Sequence, residues 1–234
     1  MATEPADSFD PNNDPAKLAK IGGHVTRHLD SNKLVQKVEA EGIQLYVYQG
    51  FLGKKDCRIL IDKIDKEAVP STLYEGTDQK GFRTSYSCHL SRWDKEVSRI
   101  EARMSDTMGI HNDFAETMQG QRYKQGQEFK AHHDFFHPSE SYWQKERIAG
   151  GQRSWTAMIF LNTPREGGTT EFPNLGIGVR PQAGMMLIWN NMTPEGKPNY
   201  KSLHTGTPVT GGVKHIITKW YRQNNWLELT TPKG

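Results

Sequence analysis

Cysteine is nearly missing: among 234 residues only Cys57 and Cys88 carry a thiol. That excludes a disulfide framework and a thiolate-rich metal site, and it suits a reducing compartment. Long apolar runs are missing too. Segments such as "AMIFL" and "MMLIW" are strand-sized, whereas a membrane-spanning helix takes about 20 apolar residues. Nor is the charge one-signed, since 30 Lys and Arg meet 27 Asp and Glu for a net charge of +3. A dense basic stripe for nucleic acid is therefore not expected. The opening "MATEPADSFDPNNDPA" is acidic and proline-bearing, where a signal peptide needs basic and then apolar residues. These absences point to a cytoplasmic protein with neither a membrane nor a nucleic acid as partner.

What is present suits a globular chain, with 35% hydrophobic and 10% aromatic residues. Residues 1–16 are rich in Pro, Asp and Asn without periodicity, which predicts a flexible N-terminal tail. Residues 17–234 read as a single domain. Its first part, about 17–115, is helical in pattern: patchily over 17–41, where Gly22–Gly23 interrupts, and clearly in "KKDCRILIDKIDKEA". A further helix follows Ser91, which opens an S-x-x-D capping pattern with Asp94; Val97, Ile100, Met104 and Met108 form its apolar stripe. From about 117 to 226 the text turns to short β-rich runs: "MQGQRY", "SWTAMIFLN", "TTEFP", "GMMLIWNN" and "KHIITKWYRQ". Helices first and then many short strands predict an antiparallel sandwich or barrel.

The chemistry concentrates in "KAHHDFFH". On a strand, His132 and Asp134 share one face and His133 turns away. Completed by a third ligand, H-x-D gives a two-His-one-carboxylate face with open positions, the arrangement of non-haem Fe(II) oxygenases. The motif alone is short. A zinc pair from His133 and His137 would need a helix, which Phe135, Phe136 and Pro138 disfavour. Downstream, "SLHTGTPVTGGVKHIITKWYRQ" supplies His204 and a strand on which Lys214, Ile216, Thr218 and Trp220 share a face. A lysine turned into a metal-bearing cavity needs an anion, and a dicarboxylate cosubstrate would provide one. The plainer alternative is a solvated turn lysine.

Four motifs in order, "QRYKQGQEFKAHHDF", "FLNTPREGGTTEFP", "VRPQAGMMLIWNN" and "LHTGTPVTGGVKHIITKW", make the chain from about Phe51 to Trp220 resemble the 2-oxoglutarate/Fe(II)-dependent dioxygenases, in their prolyl 4-hydroxylase branch. The resemblance implies an α+β, mainly β fold: a double-stranded β-helix (jelly-roll) core preceded by helices. It implies His132, Asp134 and His204 as iron ligands and Lys214 as partner of the distal carboxylate of 2-oxoglutarate. Tyr123 and Thr170 match positions that hydrogen-bond that carboxylate. "FRTSYS" resembles a loop that closes over peptide substrate, with Arg83 and Ser85 at contact positions. Glu116, Arg153 and Trp220 match residues lining the peptide pocket, although surface charge or core would explain each equally. Two positions depart from the family: Phe129 stands where Tyr is frequent, and His215 where Trp is frequent, which bears on the pocket's shape.

The implied reaction hydroxylates C4 of a peptidyl proline, using O2 and decarboxylating 2-oxoglutarate to succinate, with ascorbate as a possible reductant. The same iron chemistry on a free amino acid, small molecule or other protein residue is the second reading. A silent metal-binding β-helix protein is the third. Ile159, Leu187 and Ile216 are expected to make the site dry. The long segment from His137 to Gly151 is expected to be a loop walling the peptide groove.

Overall fold

The computed structural model describes residues 10–72 and 81–231. Among them, eight strands form one antiparallel sheet in the order β1-β2-β11-β7-β14-β5-β4-β3. Its centre is β7 (Arg153–Phe160), β11 (Met186–Asn190), β14 (Lys214–Arg222) and β5 (Gln119–Tyr123). A second sheet, in the order β10-β9-β12-β6, joins β6 (Phe129–His132), β9 (Thr170–Phe172), β10 (Ile177–Val179) and β12 (His204–Gly206). The short pair β8 (Glu166–Gly167) and β13 (Val209–Gly211) closes one end. This is the expected helix-flanked jelly roll.

The part expected to be helical also supplies strands. β1 (Gln36–Lys37) and β2 (Leu45–Tyr48) extend one edge of the large sheet, and β3 (Val69–Pro70) and β4 (Tyr86–His89) the other. Leu45, Tyr46 and Val47 are all buried. A strand covered on both faces shows no alternation, so its pattern was silent.

Helix α1 (Pro15–Ser31) runs unbroken through Gly22–Gly23. A Cβ on Gly22 would sit 3.2 Å from the Asn190 amide, so the glycine permits close docking on β11. The flexible tail expected over 1–16 does not extend to its last residues. Asp14 caps α1 through Ala16 and Lys17 N–H groups, Asp10 pairs with Arg147 at 3.2 Å, and Gln223 donates to the Pro11 carbonyl at 2.7 Å. Residues 1–9 lie outside the described residues.

Helix α2 (Lys54–Glu67) buries Cys57, Leu60 and Ile64; α3 (Lys95–Met108) buries Val97, Ile100, Met104 and Met108. Each such aliphatic side chain contributes about 1.5–3 kcal/mol by leaving water. The cap of α3 is Asp94, not Ser91. Its carboxylate accepts from Glu96 and Val97 N–H, while Ser91 turns its hydroxyl to Trp93 N.

Both helices pack on the outer face of the large sheet, against Ile159, Ile188, Ile217 and Tyr221. Between the sheets lies a second core of Leu45, Val47, Met158, Phe160, Phe172, Leu187 and Trp189. Strand β14 alternates accordingly. Ile217 and Tyr221 join the helical core, whereas Ile216 joins the inner one beside Lys214. The segment 137–151, expected to be loop, contains helix α4 (Trp143–Ile148), and helix α5 (Trp226–Thr230) follows the last strand. No helix among the described residues is long and apolar enough to cross a membrane.

Candidate active site

His132 ends β6, His204 opens β12, and the two are register partners across that ladder. Asp134 lies just past the end of β6, in a bend, rather than on the strand itself. One ligand atom from each of the three lies within 4.8 Å of the others. His132 Nε2 is 3.8 Å from Asp134 Oδ1, and His204 Nε2 is 3.9 Å from Oδ2.

The tautomers follow from geometry. His132 Nδ1 is 2.8 Å from the Lys130 carbonyl and His204 Nδ1 is 3.0 Å from the Ser202 carbonyl. A carbonyl only accepts, so each Nδ1 carries a proton and each Nε2 is the nitrogen turned toward Asp134. Burial and neighbouring His204 push the His132 pKa down to about 3, so its imidazole is neutral. Burial opposes the charge of Asp134, yet His204 and His132 hold its carboxyl below the usual range. Thr156 donates to Asp134 Oδ2 at 2.8 Å, and Asn191 donates to Thr156 Oγ1 at 2.9 Å. Phe129 stacks on His132 with centroids 3.7 Å apart and planes at 18°.

Inside, a small chamber is lined by His132, Asp134, His204 and Lys214, together with Tyr123, Thr170, Ile216 and Trp220. Lys214 is only 2% exposed, and its Nζ stands 5.4 Å from the rings of both Tyr123 and Phe160. Among the described residues no carboxylate forms an ion pair with it, and burial lowers its pKa to about 7. The alternative of a solvated turn lysine is thereby excluded. Tyr123 donates to Gln121 Oε1 at 2.7 Å, and Gln121 donates to Thr218 Oγ1 at 3.1 Å.

Several contributors escaped the sequence reading: Thr156, Met158 and Phe160 on β7, Gln121 on β5, and Asn191. In "SWTAMIF" Ser154 and Thr156 share a face with Met158 and Phe160, while apolar residues occupy both faces, so the pattern did not show which face turned inward; the period-two spacing of Gln121 and Tyr123 was a usable signal. Of the residues expected to dry the site, Ile216 lines the chamber. Ile159 lies on the outer face of β7, against the helices, and Leu187 is in the inner core away from the chamber.

The chamber adjoins a groove of about 710 Å³ whose lining also includes His132 and Asp134. Arg83, Glu116, Arg153 and Trp220 line it; Ser85 does not. Ser85 is buried and accepts from Arg83 Nε at 3.2 Å, while Arg83 lies 4.8 Å over Phe129. Arg153 makes a two-pronged pair with Glu116 at 2.6 and 2.7 Å and lies 4.2 Å over Trp220. Arg222 reaches the same carboxylate at 2.8 Å and Glu146 of α4 at 2.9 Å. Burial works against the charge of Glu116, but Arg153 and Arg222 hold its pKa at about 2. Segment 137–151 contributes His137 and Tyr142 to the wall. Both His133 and His137 also border the groove, without a third ligand to complete a zinc site among the described residues. His215 has no part in the pocket: it faces away from Lys214 and meets Asp65 of α2 at 3.0 Å.

Two imidazoles and a carboxylate suit Fe(II), and a buried lysine without an acidic partner in the same chamber suits the far carboxylate of 2-oxoglutarate. The family model for the 2OG-Fe(II) oxygenase superfamily matches residues 118–222. Probable prolyl 4-hydroxylase 3 of Arabidopsis thaliana is 32% identical over 199 residues, 75% of this chain and 68% of that protein. Probable prolyl 4-hydroxylase 10 of the same plant is 32% identical over 77% of this chain and 69% of its own length. Among solved structures, the 2OG complex of the viral collagen prolyl hydroxylase from Paramecium Bursaria Chlorella virus-1 superposes with a TM-score of 0.59. It is 25% identical, covering 83% of this chain and 98% of the viral one. A Trichoplax adhaerens prolyl hydroxylase, at 14% identity and a TM-score of 0.59, shares the fold over 92% of this chain and 95% of its own. Sequence and fold agree: the chain belongs to the prolyl 4-hydroxylase family of 2-oxoglutarate/Fe(II)-dependent oxygenases.

Proposed function

We propose that the chain hydroxylates proline in a peptide or protein substrate, consuming 2-oxoglutarate and O2. One observation carries the reading. His132 and Asp134 line both the small chamber that holds His204 and Lys214 and an adjoining groove of about 710 Å³, large enough in volume for several peptide residues. A free amino acid would need no such groove.

His132, Asp134 and His204 would hold Fe(II), which with 2-oxoglutarate would supply the O2-dependent hydroxylation chemistry at C4 of proline, with succinate and CO2 as co-products. Lys214 binds and orients the cosubstrate by pairing with its distal carboxylate, and Thr170 and Tyr123 lie beside it in the chamber. Ile216, Met158 and the Phe129 ring exclude water around the reacting centre. On the groove side, Arg83 and Trp220 present flat faces to the peptide. Arg153, held by Glu116, keeps the Trp220 ring in place.

Succinate formation by the Fe(II)-loaded protein, with and without proline-containing peptides, tests this reading. Peptide-dependent turnover with one added oxygen on proline is expected. Turnover only with a free amino acid or other small molecule would overturn the peptide assignment, and iron binding without any turnover would overturn the enzymatic one.

A further inference from the structure

The groove reaches beyond the residues that the reaction uses. Its lining includes Trp226, the first residue of α5, which does not touch the inner chamber. The indole is half-buried. The Arg92 guanidinium lies 5.4 Å over the ring. That guanidinium is itself held, donating to the Ala115 carbonyl at 2.9 Å and lying 3.9 Å from Asp113. Trp226 is thus braced by Arg92 while it also lines the groove. A ring already immobilised loses little entropy when a ligand covers it, and tryptophan is among the side chains that most often dominate peptide recognition.

The groove between Trp226 and the metal ligands is aromatic in character, with Trp220, Phe129, Phe82 and Tyr142 in its walls. Aromatic-lined grooves favour extended, proline-bearing chains, whose rings stack flat at little entropic cost. We infer that Trp226 is a second recognition point for the substrate, stacking on a proline some residues along the peptide from the one that reacts. The inference rests on the peptidyl-proline reading above. It makes the enzyme selective for proline-rich segments over isolated prolines, with selectivity set at a place remote from the iron.

The test compares the Fe(II)-loaded full chain with its Trp226→Ala, Trp226→Leu and Trp226→Phe variants. Three peptides are used: a short one with a single proline, a long one with several, and a long one in which only the reacting proline remains. In the wild type, the long proline-rich peptide is expected to show the lowest KM. Trp226→Ala should cut the kcat/KM advantage of that peptide over the single-proline long peptide about tenfold, the size of a lost aromatic contact with its burial. Trp226→Phe should retain part of it. Trp226→Leu, which keeps an apolar anchor for α5 without a flat ring, should behave like Ala. Equal losses on all three peptides, tracking a fall in Tm, would show that Trp226 only anchors the helix and would overturn the inference. No hydroxylation of any peptide by the wild type would instead overturn the peptidyl-proline reading, and the subsite with it.

Discussion

His132 and His204 are cross-strand partners on β6 and β12, and each is fixed by an Nδ1–H donated to a carbonyl two residues earlier in its own chain. The ladder sets their separation and the local hydrogen bonds set their ring orientation. Both Nε2 atoms thereby face the Asp134 carboxylate.

Removing one ligand leaves two donors, too few to hold Fe(II) against water. His132→Ala, Asp134→Ala and His204→Ala should each abolish peptide-dependent succinate formation. Metal content after dialysis against a weak chelator should fall to background in all three, while the far-UV spectrum stays that of the wild type.

Thr156 reaches the site through Asp134. Thr156→Val keeps the volume but removes the hydroxyl that orients Oδ2. Iron affinity should weaken about tenfold to a hundredfold. Titration of the metal-free protein with Fe(II) or Mn(II) measures it, and Thr156→Ser should restore most of the loss.

Lys214→Ala should raise the 2-oxoglutarate requirement more than it lowers kcat at saturation. The wild-type lysine makes a further, signed prediction. Burial lowers its pKa to about 7, so above that pH the empty site holds a neutral amine. Pairing with a carboxylate favours the ammonium and raises the pKa. Binding of 2-oxoglutarate above pH 7 should therefore take up a proton, and affinity should fall as pH rises. Calorimetry in buffers of different ionisation enthalpy reads the uptake, which should vanish in Lys214→Ala.

Glu116 has its pKa depressed to about 2 by Arg153 and Arg222. A depressed carboxyl stabilises the fold above its ordinary pKa, near 4.5, and that contribution is lost as pH falls through about 2. Glu116→Gln leaves two guanidiniums short of an anion, and a cost of about 3 kcal/mol at neutral pH is expected. Thermal unfolding at pH 7 and pH 3 checks the sign, since the gap between variant and wild type should narrow in acid.

Much of the site was legible because its signals are local. The H-x-D spacing, His204 and the lysine opening a β-rich run are short patterns, and strand alternation correctly grouped Lys214, Ile216 and Trp220 around one chamber. The same alternation rightly turned His132 and Asp134 to one chamber and His133 away, although Asp134 reaches it from a bend after the strand has ended. It was silent on β7, where both faces are buried and apolar residues occupy both. Ser85 was placed in the groove by resemblance but lies beneath Arg83, since only packing decides which of two neighbouring polar side chains meets solvent.

By itself the sequence determined the ligand types, the helices α2 and α3, the β-rich character of the second half, and the need for an anion if Lys214 is buried, because these depend on residue chemistry and short-range periodicity. Tertiary structure alone decided the rest. It brought β6 and β12 into register, gave Thr156 and Asn191 to Asp134, and closed the Arg153–Glu116–Arg222 cluster on the groove. Those contacts join residues far apart in the chain, and chain closure and packing, rather than local preference, determine which of them meet.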